Sequence, residues 1–331
     1  MIRSVPQAVS LAALAVGVVL FVLTLTRIDA GQTLEDVRRL GFAFPALLLP
    51  GACWHLLRTW GWSLAFPDDA RPPFVRLFRV RLATDAISFF TIRGTSEPLR
   101  VMMLYDSVPP PVTTAAIALE RLAFAAVSLV IAGLVSYFAV QRLPLPGAWD
   151  AVFTVVAIAA VLGVGVLVLL VRRRGGDVAQ LGGPIGRLTG RGRKLALVVA
   201  FLRDVQRVLL ELLRGDRRRL IALSILPVVC YALTTFEVWL VLWSVGASAG
   251  ATEALAIETF ARLSSVASAV IPANVGALEA SHAAPVAMLG LAGGGALALV
   301  RRVRALLWAA LGLALYPRVK VAPPPDTGRR P

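Results

Sequence analysis

The sequence predicts an all-α polytopic membrane protein, with about six full transmembrane helices plus two broken, re-entrant helical segments forming an inverted repeat. Three observations predict it. Of 331 residues, 58% are hydrophobic and only 16% charged, too few to cover a surface in water. Stretches free of ionic side chains run from Arg3 to Arg27, Arg121 to Arg142, Asp150 to Arg172 and Glu279 to Arg301, each about the 20 residues a bilayer needs. Two further apolar segments are interrupted by charge, Gly and Pro, and they resemble each other.

The full spans fall at about 7–26, 42–66, 112–137, 151–171, 219–245 and 303–317, and the broken segments at about 80–97 and 252–298. The first span follows a basic Met1-Ile2-Arg3, but its apolar run is too long for a signal h-region. No small-residue cleavage site precedes Arg27, so it reads as a retained signal-anchor helix. In the second span, His55 and Arg58 lie beside Trp54, Trp60 and Trp62, the composition of an interfacial belt with a snorkelling arginine. Cys53 and Cys230 both lie in spans and read as buried small hydrophobes. The stretch 195–213 sets Arg203, Asp204, Arg207 and Glu211 at helical spacing beside leucines, which predicts an amphipathic helix lying on the membrane. Residues 1–321 form one integral membrane domain, and 322–331, "APPPDTGRRP", read as a disordered tail.

The net charge of +15 is explained by topology better than by nucleic acid. Thirteen of the 34 basic residues fall between Arg172 and Arg219, which marks that loop as cytoplasmic. A multi-pass protein of the cell (cytoplasmic) membrane with its N-terminus inside follows, and no nucleic-acid partner is expected. The basic loop, 172–218 with its amphipathic helix, also suits anionic headgroups of the inner leaflet. Arg301, Arg302 and Arg304 form a basic cluster that falls on the outer side in this topology.

The two broken segments read "RLATDAISFFTIRGTSE" from Arg81 and "RLSSVASAVIPANVGALE" from Arg262. Both open Arg-Leu and close Gly-x-x-Glu, at Gly94 and Glu97 and at Gly276 and Glu279, and a single-residue gap aligns them. Three predicted spans lie between them, so the copies enter from opposite faces, the pattern of secondary transporters with sites built on broken helices. Pro272 then ends one half-helix, Asn274 offers amide hydrogen bonds, and Glu279 starts the next where its charge suits the helix dipole. The competing reading of Gly-x-x-Glu is a turn with an ordinary capping carboxylate.

Charges inside apolar helices face the bundle interior and pair. Glu120 and Arg121, Glu237, Glu258 and Arg262 are such charges, and Glu258 and Arg262 are four apart on one helix face. Structural pairing with Arg121 or Arg262 is the alternative to a functional role for these carboxylates. Glu279 and His282 have Glu-x-x-His spacing, but no second motif supports it, so neither a metal nor a cofactor is expected.

These residues together resemble a family, the flippase-like transmembrane module of lysylphosphatidylglycerol synthases, which has stand-alone members linked to hopanoid and glycolipid pathways. The resemblance is carried over roughly residues 5–317 by "WHLLRTWGW", by Gly94, Glu97 and Arg100 of "GTSEPLR", by Glu120-Arg121 of "LERLAF", and by Pro272, Gly276 and Glu279 of "PANVGALEA". Phe124 stands where the family commonly has an aspartate, and Thr91-Ile92-Arg93 where it usually has a Pro-Gly-Gly type turn. The resemblance covers the transmembrane module and not the soluble aminoacyl-transferase domain of the synthases, so no lysyl transfer is expected. The resemblance implies lipid handling: a translocase for a phospholipid or a polyprenyl- or glycolipid-linked precursor.

In that reading Arg81, Arg262 and the half-helix N-termini hold an anionic headgroup, since a guanidinium grips phosphate bidentately. Glu97, Glu120 and Glu279 serve as counter-charges or proton carriers. Two other readings stay open. One is an integral-membrane lipid glycosyl- or phosphotransferase using the Asp68-Asp69 pair, although no convincing catalytic constellation is present and that pair reads as a loop turn. The other is a non-catalytic scaffold that recruits lipid-synthesis enzymes through the basic loop.

Overall fold

A computed structural model describes residues 46–91, 94–143, 147–172, 191–269, 271 and 274–315, together with Glu35, Arg38 and Gly41. Among these residues every regular element is helical. The α-helices are α1 (Leu49–Leu64), α2 (Phe74–Phe90), α3 (Ser96–Leu104), α4 (Pro110–Arg142), α5 (Gly147–Arg172), α6 (Arg191–Arg214), α7 (Arg217–Ser244), α8 (Ala251–Ala267), α9 (Ala277–Met288) and α10 (Gly294–Leu315). The predicted first span at 7–26, the loop at 173–190, Pro272 and the tail at 322–331 lie outside the described residues.

Local chemistry sets several of these boundaries. Pro110 and Pro111 open α4, where the missing N–H groups cost nothing. The Asp216 side chain caps α7 by accepting from the Arg218 N–H at 2.9 Å. Gly276, at φ +74°, opens α9, and its N–H donates to Glu279 Oε2 at 2.9 Å. The helix α4 and the helix α7 are each long and apolar enough to cross a bilayer, and α5 carries a shorter apolar stretch over Asp150–Gly163. Their outward faces present Leu134, Phe138, Val161, Leu162, Ile225 and Trp243, all exposed. Cys53 is exposed, against the expectation of burial, because it lies on the exposed face of α1 with Leu49, Leu56 and Trp60; Cys230 is buried.

The succession of a helix, a 17-residue helix, a break, a short helix and a longer helix occurs twice, as α1–α4 and α7–α10. The helix α2 ends at Phe90 and α3 starts at Ser96, and α8 ends at Ala267 and α9 starts at Ala277, inside the two segments the sequence marks as broken. Packing repeats as well. The pair α2 and α3 lie against each other, as do α8 and α9; α1 packs on α7; α2 packs on α10 of the other half, and α8 on α4. Small residues permit the closest approaches. A Cβ at Gly312 of α10 would overlap the Leu82 carbonyl of α2, and one at Gly133 of α4 would meet Ala160 of α5 at 2.6 Å.

One element differs from expectation in a way that bears on the site. The helix expected as the last span, from about 303, starts already at Gly294, so Arg301, Arg302 and Arg304 are mid-helix residues and not a loop cluster. The amphipathic helix α6 docks on α4, with Val208, Leu209, Leu212 and Leu213 joining the apolar cluster around Trp62, Leu77 and Leu119.

Candidate functional site

The polar residues that hydrocarbon would penalise are gathered at the centre of the two halves. In the first half, Glu120 of α4 is the hub. Its carboxylate lies 2.8 Å from Arg58 of α1 and 3.5 Å from Arg81 of α2, and all three side chains are buried. Arg81 also reaches Asp85 one turn on, at 3.6 Å, and donates from Nη1 to the Arg58 carbonyl at 3.1 Å. Asp85 in turn accepts from Arg100 of α3 at 2.5 Å.

The second half has the same constellation with its signs exchanged. Arg301 of α10 is the hub, 2.9 Å from Glu258 of α8 and 3.6 Å from Glu237 of α7. Glu258 pairs one turn on with Arg262 at 2.8 Å, the partnership that the i, i+4 spacing predicts. Glu237 also pairs with Arg304. Arg81 and Glu258 are each the eighth residue of their 17-residue helices, and Asp85 and Arg262 each the twelfth. The sequence alignment of Arg81 with Arg262 is therefore corrected by one helical turn, because the second break is the longer.

Outside the hubs the signs agree. Glu97, second residue of α3, pairs with Arg121 of α4, and Glu279, third residue of α9, pairs with Arg302 of α10 at 2.5 Å. These are the two Gly-x-x-Glu carboxylates, each locked to the longer helix that follows. Gly94 and Gly276 precede them at φ +100° and +74°, backbone that glycine adopts without strain. Asn274 is left-handed too, at φ +52°, and its Oδ1 accepts from the Ser268 hydroxyl at 3.0 Å across the break. His282 is buried, with Nδ1 2.7 Å from the Leu278 carbonyl oxygen.

Aromatic rings orient two of the arginines. The Arg58 guanidinium lies 3.6 Å over the Phe124 ring, so the residue that departs from the resembled pattern stacks on a cation where a carboxylate would pair with it. Arg262 lies 4.1 Å over Tyr231 and donates to the Thr234 hydroxyl at 2.7 Å. Arg58 is thus a buried ion-pair member; the snorkelling expected for it does not occur, since Glu120 offers a charged partner inside the protein. Asp68 pairs with Arg71 and Arg219 at the end of α1, tying a turn to α7.

Between the halves lies a cavity of about 480 Å³. Its wall carries six arginines, Arg58, Arg81, Arg121, Arg262, Arg301 and Arg304, against two carboxylates, Asp85 and Glu258. Gly94 and Asn274 from the two breaks reach it, as do Trp54 and Trp308. Of the translocation-site residues expected from the sequence, Arg81, Gly94, Arg121, Glu258, Arg262 and Asn274 line this space, joined by Trp54, His55, Arg58 and His282. Glu120, Glu237, Glu97, Glu279 and Arg100 stand behind it as counter-charges, and Gly276 shapes the break. Sequence reasoning missed Asp85, Arg301, Arg302 and Arg304 as site residues. The signal was available: three arginines at helical spacing, and intramembrane carboxylates that lacked partners.

The family described as the lysylphosphatidylglycerol synthase TM region matches residues 10–314, nearly the whole chain. Neither the curated proteins nor the solved structures give a significant match. That match covers both halves and the cavity between them. The chain is a membrane protein and belongs to the lysylphosphatidylglycerol synthase transmembrane-region family.

Proposed function

We propose that the chain is a lipid translocase that moves a phospholipid or lipid-linked precursor with an anionic headgroup between leaflets. The observation that carries this reading is the cavity wall, where six arginines face two carboxylates at the junction of the two halves. An anion entering such a space exchanges water for preformed guanidinium donors, and its tail stays in lipid. Family membership supports a role connected with membrane lipid.

The wider reading has α2 with α3 and α8 with α9 as re-entrant pairs of an inverted repeat, within a bundle of about six spans. The protein sits in the cell membrane with its N-terminus and the 172–218 segment inside, where basic side chains grip anionic headgroups. It is not an enzyme in this reading: the pairing of Asp68 with Arg71 and Arg219 favours a structural role over catalysis.

The test is translocation in proteoliposomes containing acyl-chain-labelled phosphatidylglycerol, read by bleaching with a membrane-impermeant reductant. Wild-type protein should make the inner-leaflet pool accessible, and Arg262→Gln should slow that by about tenfold, the worth of one charge-assisted contact. Equal rates in protein-containing and empty vesicles would contradict the reading and leave the lipid transferase or the scaffold for lipid-synthesis enzymes.

A further inference from the structure

The central ion pairs leave the same remainder in each half. In the first, Arg58, Arg81 and Arg100 share two carboxylates, Glu120 and Asp85. In the second, Arg262, Arg301 and Arg304 share Glu237 and Glu258. The flanking pairs Arg121 with Glu97 and Arg302 with Glu279 are one to one. Counted over these central and flanking residues, each half therefore holds one more guanidinium than carboxylate. An arginine does not shed this charge, and an interior cation without a counter-charge is costly.

The surplus lies against the cavity. Arg58, Arg81 and Arg301 are 7%, 1% and 4% exposed, all three line the cavity wall, and the Nε of each has no hydrogen-bond acceptor among the described residues. Two halves contribute one surplus charge each to one shared space. We propose that the ligand completing this arrangement is a single dianionic group bridging the halves, a phosphomonoester headgroup, in preference to a phosphodiester with one charge or a zwitterion. This rests on the translocase reading and names the substrate class for it. A phosphomonoester has its second ionisation near pH 6, so it presents two charges at pH 8 and one in mild acid, whereas a phosphodiester keeps one throughout.

The experiment compares acyl-chain-labelled phosphatidic acid, phosphatidylglycerol and phosphatidylcholine in proteoliposomes at pH 8. Phosphatidic acid should cross about tenfold faster than phosphatidylglycerol, with phosphatidylcholine slowest, and its advantage should vanish near pH 5 as the second charge is lost. Phosphatidylglycerol crossing as fast as phosphatidic acid at pH 8 would overturn the dianion inference and leave an anionic-lipid translocase standing. Acceleration of none of the three probes removes both. Arg58→Gln, which takes away the surplus of one half, should bring the phosphatidic acid rate down to that of phosphatidylglycerol. Arg304→Gln does the same from the other half, should the first variant fail to purify as a folded species. Full selectivity in both variants would count against the proposal. Thermal stabilisation in detergent separates a lipid headgroup from a free anion: phosphatidic acid should act at lower concentration than inorganic phosphate, and the reverse order would assign the site to a soluble phosphate instead.

Discussion

The two halves of the molecule build one architecture from opposite charges. In α1–α4 a carboxylate, Glu120, is held between Arg58 and Arg81; in α7–α10 an arginine, Arg301, is held between Glu237 and Glu258. Geometry at the centre of a helical bundle needs a hub and two spokes of opposite sign, and either assignment satisfies it. What the exchange alters is the reserve of partners. Glu237 keeps Arg304 and Glu258 keeps Arg262 when Arg301 is removed, whereas Arg58 has no second carboxylate among the described residues when Glu120 is removed.

The largest expected effect follows from that inequality. Glu120→Ala strands a buried Arg58 and should destabilise by about 3–5 kcal/mol, enough to prevent purification of folded protein. Arg301→Ala should cost visibly less in thermal unfolding, because both of its carboxylates retain an arginine. Equal losses would break the comparison. Next comes the seam where the halves interlock. Gly312→Ala puts a Cβ into the Leu82 carbonyl, and the forced separation of α10 from α2 should cost about 1–3 kcal/mol. Among the described residues the matching seam of α8 on α4 has no such glycine contact, so alanine substitutions there should be mild.

Smaller effects sharpen the picture of how each half orients its arginine. Phe124→Leu removes the ring under Arg58 and should cost about 0.5–2 kcal/mol in stability. Tyr231→Phe keeps the ring under Arg262 but loses the 2.5 Å hydroxyl contact with Thr259, worth about 1 kcal/mol. The exposed Asp204–Arg207 pair on α6 belongs to neither half, and Asp204→Ala should change stability by less than about 0.5 kcal/mol.

The sequence exposed the helical class, the two breaks and the Gly-x-x-Glu carboxylates, because each is a local signal of composition or spacing. It also exposed the Glu258–Arg262 pair, which needs only the helical period. What stayed hidden depends on distance along the chain. Glu120 meets Arg58 across 62 residues and Arg301 meets Glu258 across 43, and no periodicity connects them. Arg58 looked like a snorkelling side chain because aromatic neighbours and an arginine read the same at an interface and beside a buried carboxylate. Arg301, Arg302 and Arg304 looked like a misplaced loop because a hydropathy window ends where charges begin. Asp85 carries no local signal, since it is one acid in an apolar run whose partner Arg100 lies on the next helix.

The two halves enclose one cavity, and its wall is rich in arginine. The direct measurement places a single thiol in it, as Ala305→Cys in a Cys53→Ser, Cys230→Ala background, since Ala305 lines the cavity wall. Labelling by a negatively charged sulfonate thiol reagent is then compared with labelling by a cationic ammonium reagent of similar size. With six arginines against two carboxylates on that wall, the anionic reagent should react about tenfold faster, and the ratio should shrink in high salt. A faster cationic reagent, or no labelling by either, would contradict a shared, water-accessible, anion-attracting site.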